Sequence, residues 1–168
     1  AKSAKLAARR AITDFRCETP HSPTRLPEDP EYMPPEQARS GNADVDTRAD
    51  VYSIGVMLYQ LLVDELPIPS ERLRGDAEER LEVLTRFEPE RPSNRLARSP
   101  RREAVAASCG MTLSGLERRL RADLDWLVMR AIQKDREDRY PSVEGLAADL
   151  RRFLAGQPLS VGPPTKLY

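Results

Sequence analysis

The sequence has few of the residues that build disulfide frameworks and metal sites. It contains two cysteines, Cys17 and Cys109, and one histidine, His21. Two cysteines are too few for a disulfide framework or a zinc site, so a reducing compartment is the default expectation. The 27 basic residues, nearly all arginine, balance 27 acidic ones. This zero net charge argues against a general attraction to nucleic acid or to anionic membranes.

Long apolar runs are also missing from the sequence. No segment reaches the ~18 consecutive apolar residues that a membrane span needs. The basic start at residues 1–12 is not followed by an apolar stretch, so we expect no secretory signal. Hydrophobic residues still make up 39% of the 168 residues, which is enough for a globular domain with its own core. The composition therefore predicts a soluble, cytoplasmic chain.

Proline divides the chain into regions. Residues 17–35 carry Pro20, Pro23, Pro27, Pro30, Pro34 and Pro35, a density that predicts an extended, irregular loop. A second group, Pro158, Pro163 and Pro164, follows Gly156 and predicts an extended tail. We therefore distinguish a basic and proline-rich start (1–27), a folded region (28–156) and a proline-rich tail (157–168).

The strongest helix prediction covers Thr47–Val63. Asp46 or Thr47 can cap its first turn, and residues 51–63 (VYSIGVMLYQLLV) carry no charge. A helix that is apolar on nearly every face must be surrounded by protein, so this segment is predicted to be the central helix of a helical domain. Gly55 in its middle costs stability relative to alanine, and the close approach of a neighbouring helix would explain it.

Further helices are predicted from apolar residues at spacings of three and four. They cover residues 77–87, 112–120, 123–134 with Asp123 as cap, and 141–155 ending at Gly156. Trp126 is predicted to be a core residue. Residues 88–102, rich in arginine, are predicted to form an exposed loop. With only weak strand candidates, the fold class is mainly α.

Three stretches, in this order, resemble the large lobe of eukaryotic-type serine/threonine protein kinases. Residues 30–38 (PEYMPPEQA) are similar to the end of an activation segment, where kinases carry a Pro-Glu pair. Residues 46–67 resemble the buried central helix that follows, and residues 124–156 are similar to the last two helices of the lobe. The insert between them, 68–122, and the proline-rich end most resemble bacterial kinases of the planctomycete type.

The resemblance assigns roles to individual residues. It implies that Glu36 and Arg139 form a buried ion pair, in which the planar guanidinium holds the carboxylate with two hydrogen bonds. It implies that Asp29 and Tyr32 lie in the loop that faces the protein substrate. It maps Asp50 onto the aspartate that accepts hydrogen bonds from the catalytic loop. The alternative for Asp50 is a first-turn charge favoured by the helix dipole.

Several parts of a kinase are missing from the sequence. It contains no G-x-G-x-x-G and no H-R-D-x-x-x-x-N, so the small lobe and the catalytic loop are absent, and no residue is assigned a catalytic or ATP-binding role. The nearest match to the metal-binding D-F-G is Asp14-Phe15-Arg16. Asp14 is a candidate Mg²⁺ ligand, although Arg16 puts a positive charge beside that position and the match can arise by chance. Glu28-Asp29 replaces the usual Gly-Thr, which adds like charge near the catalytic aspartate.

Two functions follow from these features. The first is a C-terminal fragment of a serine/threonine kinase, whose family transfers phosphate from ATP with Mg²⁺ to protein side chains, and which is inactive as this chain. The alternative is a non-catalytic, pseudokinase-like helical module that binds a protein partner in signalling. Exposed apolar surface around Tyr52, Met57 and Leu61 is expected to promote self-association. Nucleic-acid binding through residues 91–102 is disfavoured, because no aromatic residues interleave with the arginines.

Overall fold

The computed structural model describes residues 29–40 and 46–160, and these form helices and turns without a β-strand. The α-helices are α1 (Pro35–Ser40), α2 (Thr47–Val63), α3 (Ala77–Arg86), α4 (Pro92–Arg98), α5 (Arg102–Ser108), α6 (Leu113–Arg119), α7 (Asp125–Ala131) and α8 (Val143–Ala155). Two 3₁₀ turns (Ser70–Leu73 and Arg136–Asp138) and one π-helical turn (Leu120–Leu124) lie between them. The predicted mainly α fold is confirmed. The predictions for residues 1–28 and 161–168 lie outside the described residues.

Helix α2 is the central helix of the fold, with the predicted bounds. It packs against α4, α7 and α8. Its buried side chains include Val51, Val56 and Val63, all with no exposed surface, and Tyr59, which is 1% exposed. Each such side chain contributes about 1.5–3 kcal/mol by leaving water, so this helix organises the core.

Gly55 lies where α2 touches the end of α7. A Cβ atom at this position would be 2.7 Å from the Cβ of Ala131 and 2.8 Å from the Cγ2 of Ile132. These distances are shorter than van der Waals contact, so the two backbones can approach this closely only because residue 55 has no side chain. The predicted reason for the glycine, close approach of a neighbouring helix, is confirmed.

Two details of α2 differ from the prediction. Asp46 precedes the helix, but its side chain makes no capping hydrogen bond; it accepts a bond from the Thr47 hydroxyl at 3.1 Å instead. Tyr52 is not exposed: its side chain is 2% accessible and lies under the guanidinium of Arg139. Met57 and Leu61 are 50% and 46% exposed, as predicted.

The prediction of an exposed loop at 88–102 is wrong in its centre, where α4 forms. Leu96 on this helix is fully buried in the main core. The first turn is held by Asp125, whose carboxylate accepts hydrogen bonds from the Ser93 backbone N–H at 2.8 Å and from the Ser93 hydroxyl at 2.5 Å. Because this cap comes from a residue 32 positions away, local sequence patterns do not reveal it.

Asp123 does not begin a helix. Helix α6 continues through the π-helical turn into α7, and Asp123 lies inside that turn. A π turn inserts one residue into the helical repeat. Two residues further on, Asp125 holds the first turn of α4, a role that was not predicted from the sequence.

Helices α3, α6 and α8 agree with the prediction, whereas α1 and α5 were not predicted. Helix α3 begins with a capping box, in which the Asp76 carboxylate accepts the N–H groups of Glu78 and Glu79. Its residue Leu84 is fully buried in a second, smaller core with Ile68 and Leu73. Helix α8 is capped by Ser142 at its start and by Gly156, with a positive φ of 68°, at its end.

Candidate functional site

The predicted site residues fall into two groups. Asp29, Tyr32 and Glu36 lie in the anchored segment, the name used below for residues 29–36, which leads into α1. Asp50 is in the first turn of α2, and Arg139 follows the 3₁₀ turn before α8. Asp14 lies outside the described residues. The structure therefore allows the predicted pairing of Glu36 with Arg139 to be examined directly.

Glu36 and Arg139 form a two-point ion pair. Nη1 of Arg139 donates to Oε1 of Glu36 at 2.6 Å, and Nη2 donates to Oε2 at 2.7 Å. The Arg139 side chain has no exposed surface, and the Glu36 side chain is 19% exposed. Such fork-to-fork pairs are stronger than single charge-assisted bonds, and their geometry is restricted. The structure brings these two predicted residues together.

The remaining donors of Arg139 are bound by backbone oxygens. Nε donates to the carbonyl of Gln133 at 2.7 Å, Nη1 to that of Arg48 at 3.1 Å, and Nη2 to that of Lys134 at 3.2 Å. With the two bonds to Glu36, all five N–H groups of the guanidinium have an acceptor. A buried charge is tolerated when its partner and every donor are satisfied in this way.

The ring of Tyr52 completes the surroundings of the guanidinium. The central carbon of Arg139 lies 4.9 Å from the ring centroid, within the range of a cation–π contact. Burial raises the pKa of Tyr52 to about 12, opposed in part by the positive charge of Arg139. The phenol therefore stays neutral and leaves the charge of the ion pair undisturbed.

Tyr32 fixes the anchored segment to α2 at two points. Its hydroxyl donates to Oε1 of Gln60 at 2.7 Å, and its carbonyl accepts from the hydroxyl of Ser53 at 2.9 Å. The Tyr32 N–H closes a turn with the carbonyl of Asp29 at 2.9 Å. The segment is thus held by α2 in its middle and by Arg139 at its end.

The roles of Ser53 and Gln60 as partners of Tyr32 were not predicted from the sequence. The two residues stand seven positions apart on α2, a spacing that puts two side chains on one face of a helix. Two polar residues at this spacing inside an otherwise apolar helix indicate a polar contact with another segment, and this was the available sequence signal. Its partner Tyr32 could not be identified, because the contact joins residues 28 positions apart.

Asp29 and Asp50 are both exposed. The Asp50 side chain makes no hydrogen bond within residues 29–40 and 46–160. It lies in the first turn of α2, where a negative charge is favoured by the helix dipole.

Trp126 departs from its prediction as a core residue. It is half-buried and lines an open groove of about 400 Å³ with Met129, Arg130 and Gln133. Its indole nitrogen is buried and has no hydrogen-bond acceptor within the described part of the chain. The π-helical turn directly before α7 shifts the register of this helix relative to a regular α-helix, so spacing alone did not give the orientation of Trp126.

Residues 29–40 and 46–160 contain neither a metal-binding cluster nor a membrane-spanning helix. No three His, Cys, Asp or Glu side chains come together there in a way that could hold a metal ion. No helix in the same ranges combines the length and the apolar character required to cross a bilayer.

No protein-family model matches the chain. The chain is 33% identical over 128 residues to the serine/threonine-protein kinase PknB of Mycobacterium tuberculosis, covering 76% of this chain and 16% of that protein. It is 34% identical over 122 residues to the serine/threonine-protein kinase pkn3 of Myxococcus xanthus, covering 73% and 18%. It is 30% identical over 136 residues to the serine/threonine-protein kinase PksC of Streptomyces coelicolor, covering 81% and 19%.

These relatives are several times longer than the chain, which spans less than a fifth of the length of each. They come from mycobacteria, a myxobacterium and a streptomycete, and give no support to the planctomycete resemblance. The similarity, the helical architecture and the order of the three stretches agree with one another. The chain is therefore a domain related to the bacterial serine/threonine protein kinases, with the helical large lobe of the protein-kinase-like fold.

Proposed function

We propose that the chain is the C-terminal part of a serine/threonine kinase domain, and that it does not transfer phosphate by itself. The activity of the whole protein would be ATP-dependent phosphorylation of serine and threonine in other proteins. In that reaction this chain contributes the large-lobe scaffold and the loop that faces the protein substrate. A cytoplasmic location is part of the same proposal.

The observation that carries the proposal is the ion pair of Glu36 with Arg139. It attaches the end of the anchored segment to the turn before α8 with two charge-assisted bonds. Together with the Tyr32–Gln60 bond, it holds residues 29–36 in one position against α2. A loop that is fixed in its middle and at its end while Asp29 remains exposed can present a constant surface to an incoming peptide.

ATP and Mg²⁺ are the cofactors of this family, and a kinase holds them with a glycine-rich loop, a strand lysine and acidic metal ligands. The described residues do not fit that requirement, because they offer no cluster of acidic side chains for a metal. The candidate ligand Asp14 lies outside the described residues. We propose that this chain alone binds neither ATP nor Mg²⁺.

The alternative is a non-catalytic module that binds a protein partner or the other half of a kinase. Two sequence features favour it: Arg16 replaces the glycine of D-F-G, and Asp29 stands where kinases usually carry threonine. Asp29 is exposed, so its charge would be free to act on a neighbouring catalytic aspartate. Under this alternative, the chain keeps the helical scaffold of a kinase large lobe, while residues at the edge of the catalytic site have changed.

Phosphotransfer assays separate the two functions. The purified 168-residue chain, incubated with radiolabelled ATP, Mg²⁺ and a generic protein substrate, should transfer no label above background. The product of the full reading frame should transfer label if the kinase function is correct, and its Glu36→Gln variant should transfer less. A full-length product without activity, lacking a strand lysine and an H-R-D-x-x-x-x-N motif, would support the non-catalytic module instead.

A further inference from the structure

The chain that leaves α8 is held by a buried carboxylate. Asp149, on the inner face of α8, has no exposed surface. Its Oδ1 accepts the backbone N–H of Ser160 at 2.7 Å, and its Oδ2 accepts the hydroxyl of Tyr140 at 3.2 Å. The Arg152 side chain lies 4.0 Å from Oδ1. One carboxylate thus connects the chain after α8 with the turn before it.

Residues 157–160, called the strap below, fold back along α8. The turn at Gly156 reverses the chain with a positive φ of 68°, and the N–H of Gln157 bonds to the carbonyl of Arg152 at 2.9 Å. Leu159 then packs against the main core. The strap is therefore held by the apolar contact of Leu159 and by two hydrogen bonds, one from Gln157 to the Arg152 carbonyl and one from Ser160 to the buried carboxylate of Asp149.

Tyr140 connects the strap to the ion pair. It directly follows Arg139, whose backbone is extended with ψ of 179°, so the two side chains point to opposite sides. The Tyr140 ring lies under the guanidinium of Arg130 at 5.2 Å, and its hydroxyl is held by Asp149. A displacement of Tyr140 would therefore move the backbone that carries Arg139.

We propose that the strap regulates the anchored segment: docking of Ser160 on Asp149 fixes Tyr140 and thereby stabilises the Arg139–Glu36 ion pair. Release of the strap loosens residues 29–36 at a distance. The position of the strap is in this way coupled to the loop that would face a substrate. That residues 29–36 face a substrate rests on the proposed function. The coupling between the strap and these residues is a property of the fold.

The test compares Ser160→Pro with Ser160→Ala in the 168-residue chain. Proline removes the N–H that Asp149 accepts, whereas alanine keeps it and removes only the hydroxyl. The readout is hydrogen exchange at the amides of Gln37 and Ala38, which bond to the carbonyl of Pro34 at the end of the anchored segment. Ser160→Pro should speed their exchange about fivefold, which is the lower end of the coupling typical between two sites. Ser160→Ala should leave the exchange rates unchanged.

A second pair of variants tests the route through Tyr140. In a Tyr140→Phe background, the proline should no longer change exchange at Gln37 and Ala38. The amide of Leu116 in helix α6, which bonds to the carbonyl of Thr112, should exchange equally in all variants. Unchanged exchange in Ser160→Pro, an equal effect in the phenylalanine background, or a matching rise at Leu116 would each overturn the proposal. Hydrogen exchange does not depend on catalysis, so the experiment tests the proposal even if the chain has no kinase activity.

Discussion

The carboxylate of Glu36 and the guanidinium of Arg139 meet in a bidentate ion pair although they are 103 residues apart in the chain. Glu36→Gln would remove the charge and one of the two acceptors and leave the buried Arg139 cation without its partner. We expect a loss of about 3 kcal/mol in the free energy of unfolding, since breaking a buried pair costs roughly 3–5 kcal/mol and Glu36 keeps partial exposure. Urea denaturation at neutral pH measures this loss.

The matched control for this variant is Glu82→Gln. Glu82 pairs with Arg86 one turn away at 2.8 Å, but both side chains are well exposed, at 60% and 80%. Exposed pairs of this kind contribute about 0.3–0.5 kcal/mol, so the control should barely change stability. Equal losses in the two variants would show that burial does not strengthen the Glu36–Arg139 pair.

Gly55→Ala is expected to destabilise the protein, against the usual preference for alanine in helices. A helical glycine normally costs about 1 kcal/mol relative to alanine. At this position the added methyl would meet Ala131 at 2.7 Å and Ile132 at 2.8 Å, and overpacking of this kind costs about 1–3 kcal/mol. Thermal unfolding should therefore show a lower midpoint for the variant.

Gly145→Ala in α8 is the control for the packing argument. A Cβ there would lie 3.8 Å from the Tyr140 ring and 3.9 Å from Pro141, which is ordinary contact. This variant should keep or slightly raise the midpoint because the helix gains propensity without a clash. A gain in stability for Gly55→Ala as well would contradict the close contact of α2 with α7.

Asp125→Ala is expected to cost about 2–3 kcal/mol of stability. It would leave the N–H and the hydroxyl of Ser93, a residue that is 2% exposed, without their acceptor. The loss should appear in denaturant unfolding and as faster amide exchange in α4. Asp123→Ala is the control: the local pattern predicts Asp123 as a cap, but it lies inside the π-helical turn and does not begin a helix, so the control should cost less than 1 kcal/mol.

Local patterns predicted most of the fold. The charge-free run of α2, the Ser142 cap of α8 and the left-handed Gly156 each depend on neighbours in the sequence, and such features can be derived from spacing and residue type. Helix α4 could not be predicted, because its cap comes from Asp125. The register of α7 was missed because a single π turn shifts it relative to α6.

The contacts of the candidate site also differ in whether the sequence could predict them. Glu36 and Arg139 were predicted as partners through the family resemblance, because spacing could not join residues so distant in the chain. The contacts of Tyr32 with Gln60 and Ser53 depend on how the anchored segment lies on α2. The position of that segment is a tertiary property, and no local propensity specifies it.

Tyr52 should make the protein sensitive to alkali. Burial raises its pKa from 10 to about 12 in the folded state, so the fold favours the protonated phenol. The resulting stability is fully present below pH 10 and is lost as the pH rises toward 12. The loss is about 1–3 kcal/mol, since each pKa unit corresponds to roughly 1.4 kcal/mol. Urea unfolding at pH 9 and pH 11.5 measures it.

Tyr52→Phe identifies the titrating group in that experiment. The phenylalanine variant keeps the ring under Arg139 and loses only the hydroxyl, so its stability should fall less between the two pH values. Other tyrosines, including Tyr59 with its pKa raised to about 12, contribute equally to both proteins and cancel in the comparison. Parallel losses in the two proteins would exclude Tyr52 as the source.

Met57 and Leu61 should drive self-association of the isolated chain. They stand one turn apart on α2, 50% and 46% exposed, and form an apolar patch on an otherwise buried helix. In sedimentation velocity the purified chain should form oligomers, and the double variant Met57→Lys, Leu61→Glu should shift it to a monomer. Leu154→Glu, which changes an equally exposed leucine on α8, should leave the oligomers intact. A single monomer boundary for the unmodified chain would show that this patch does not associate.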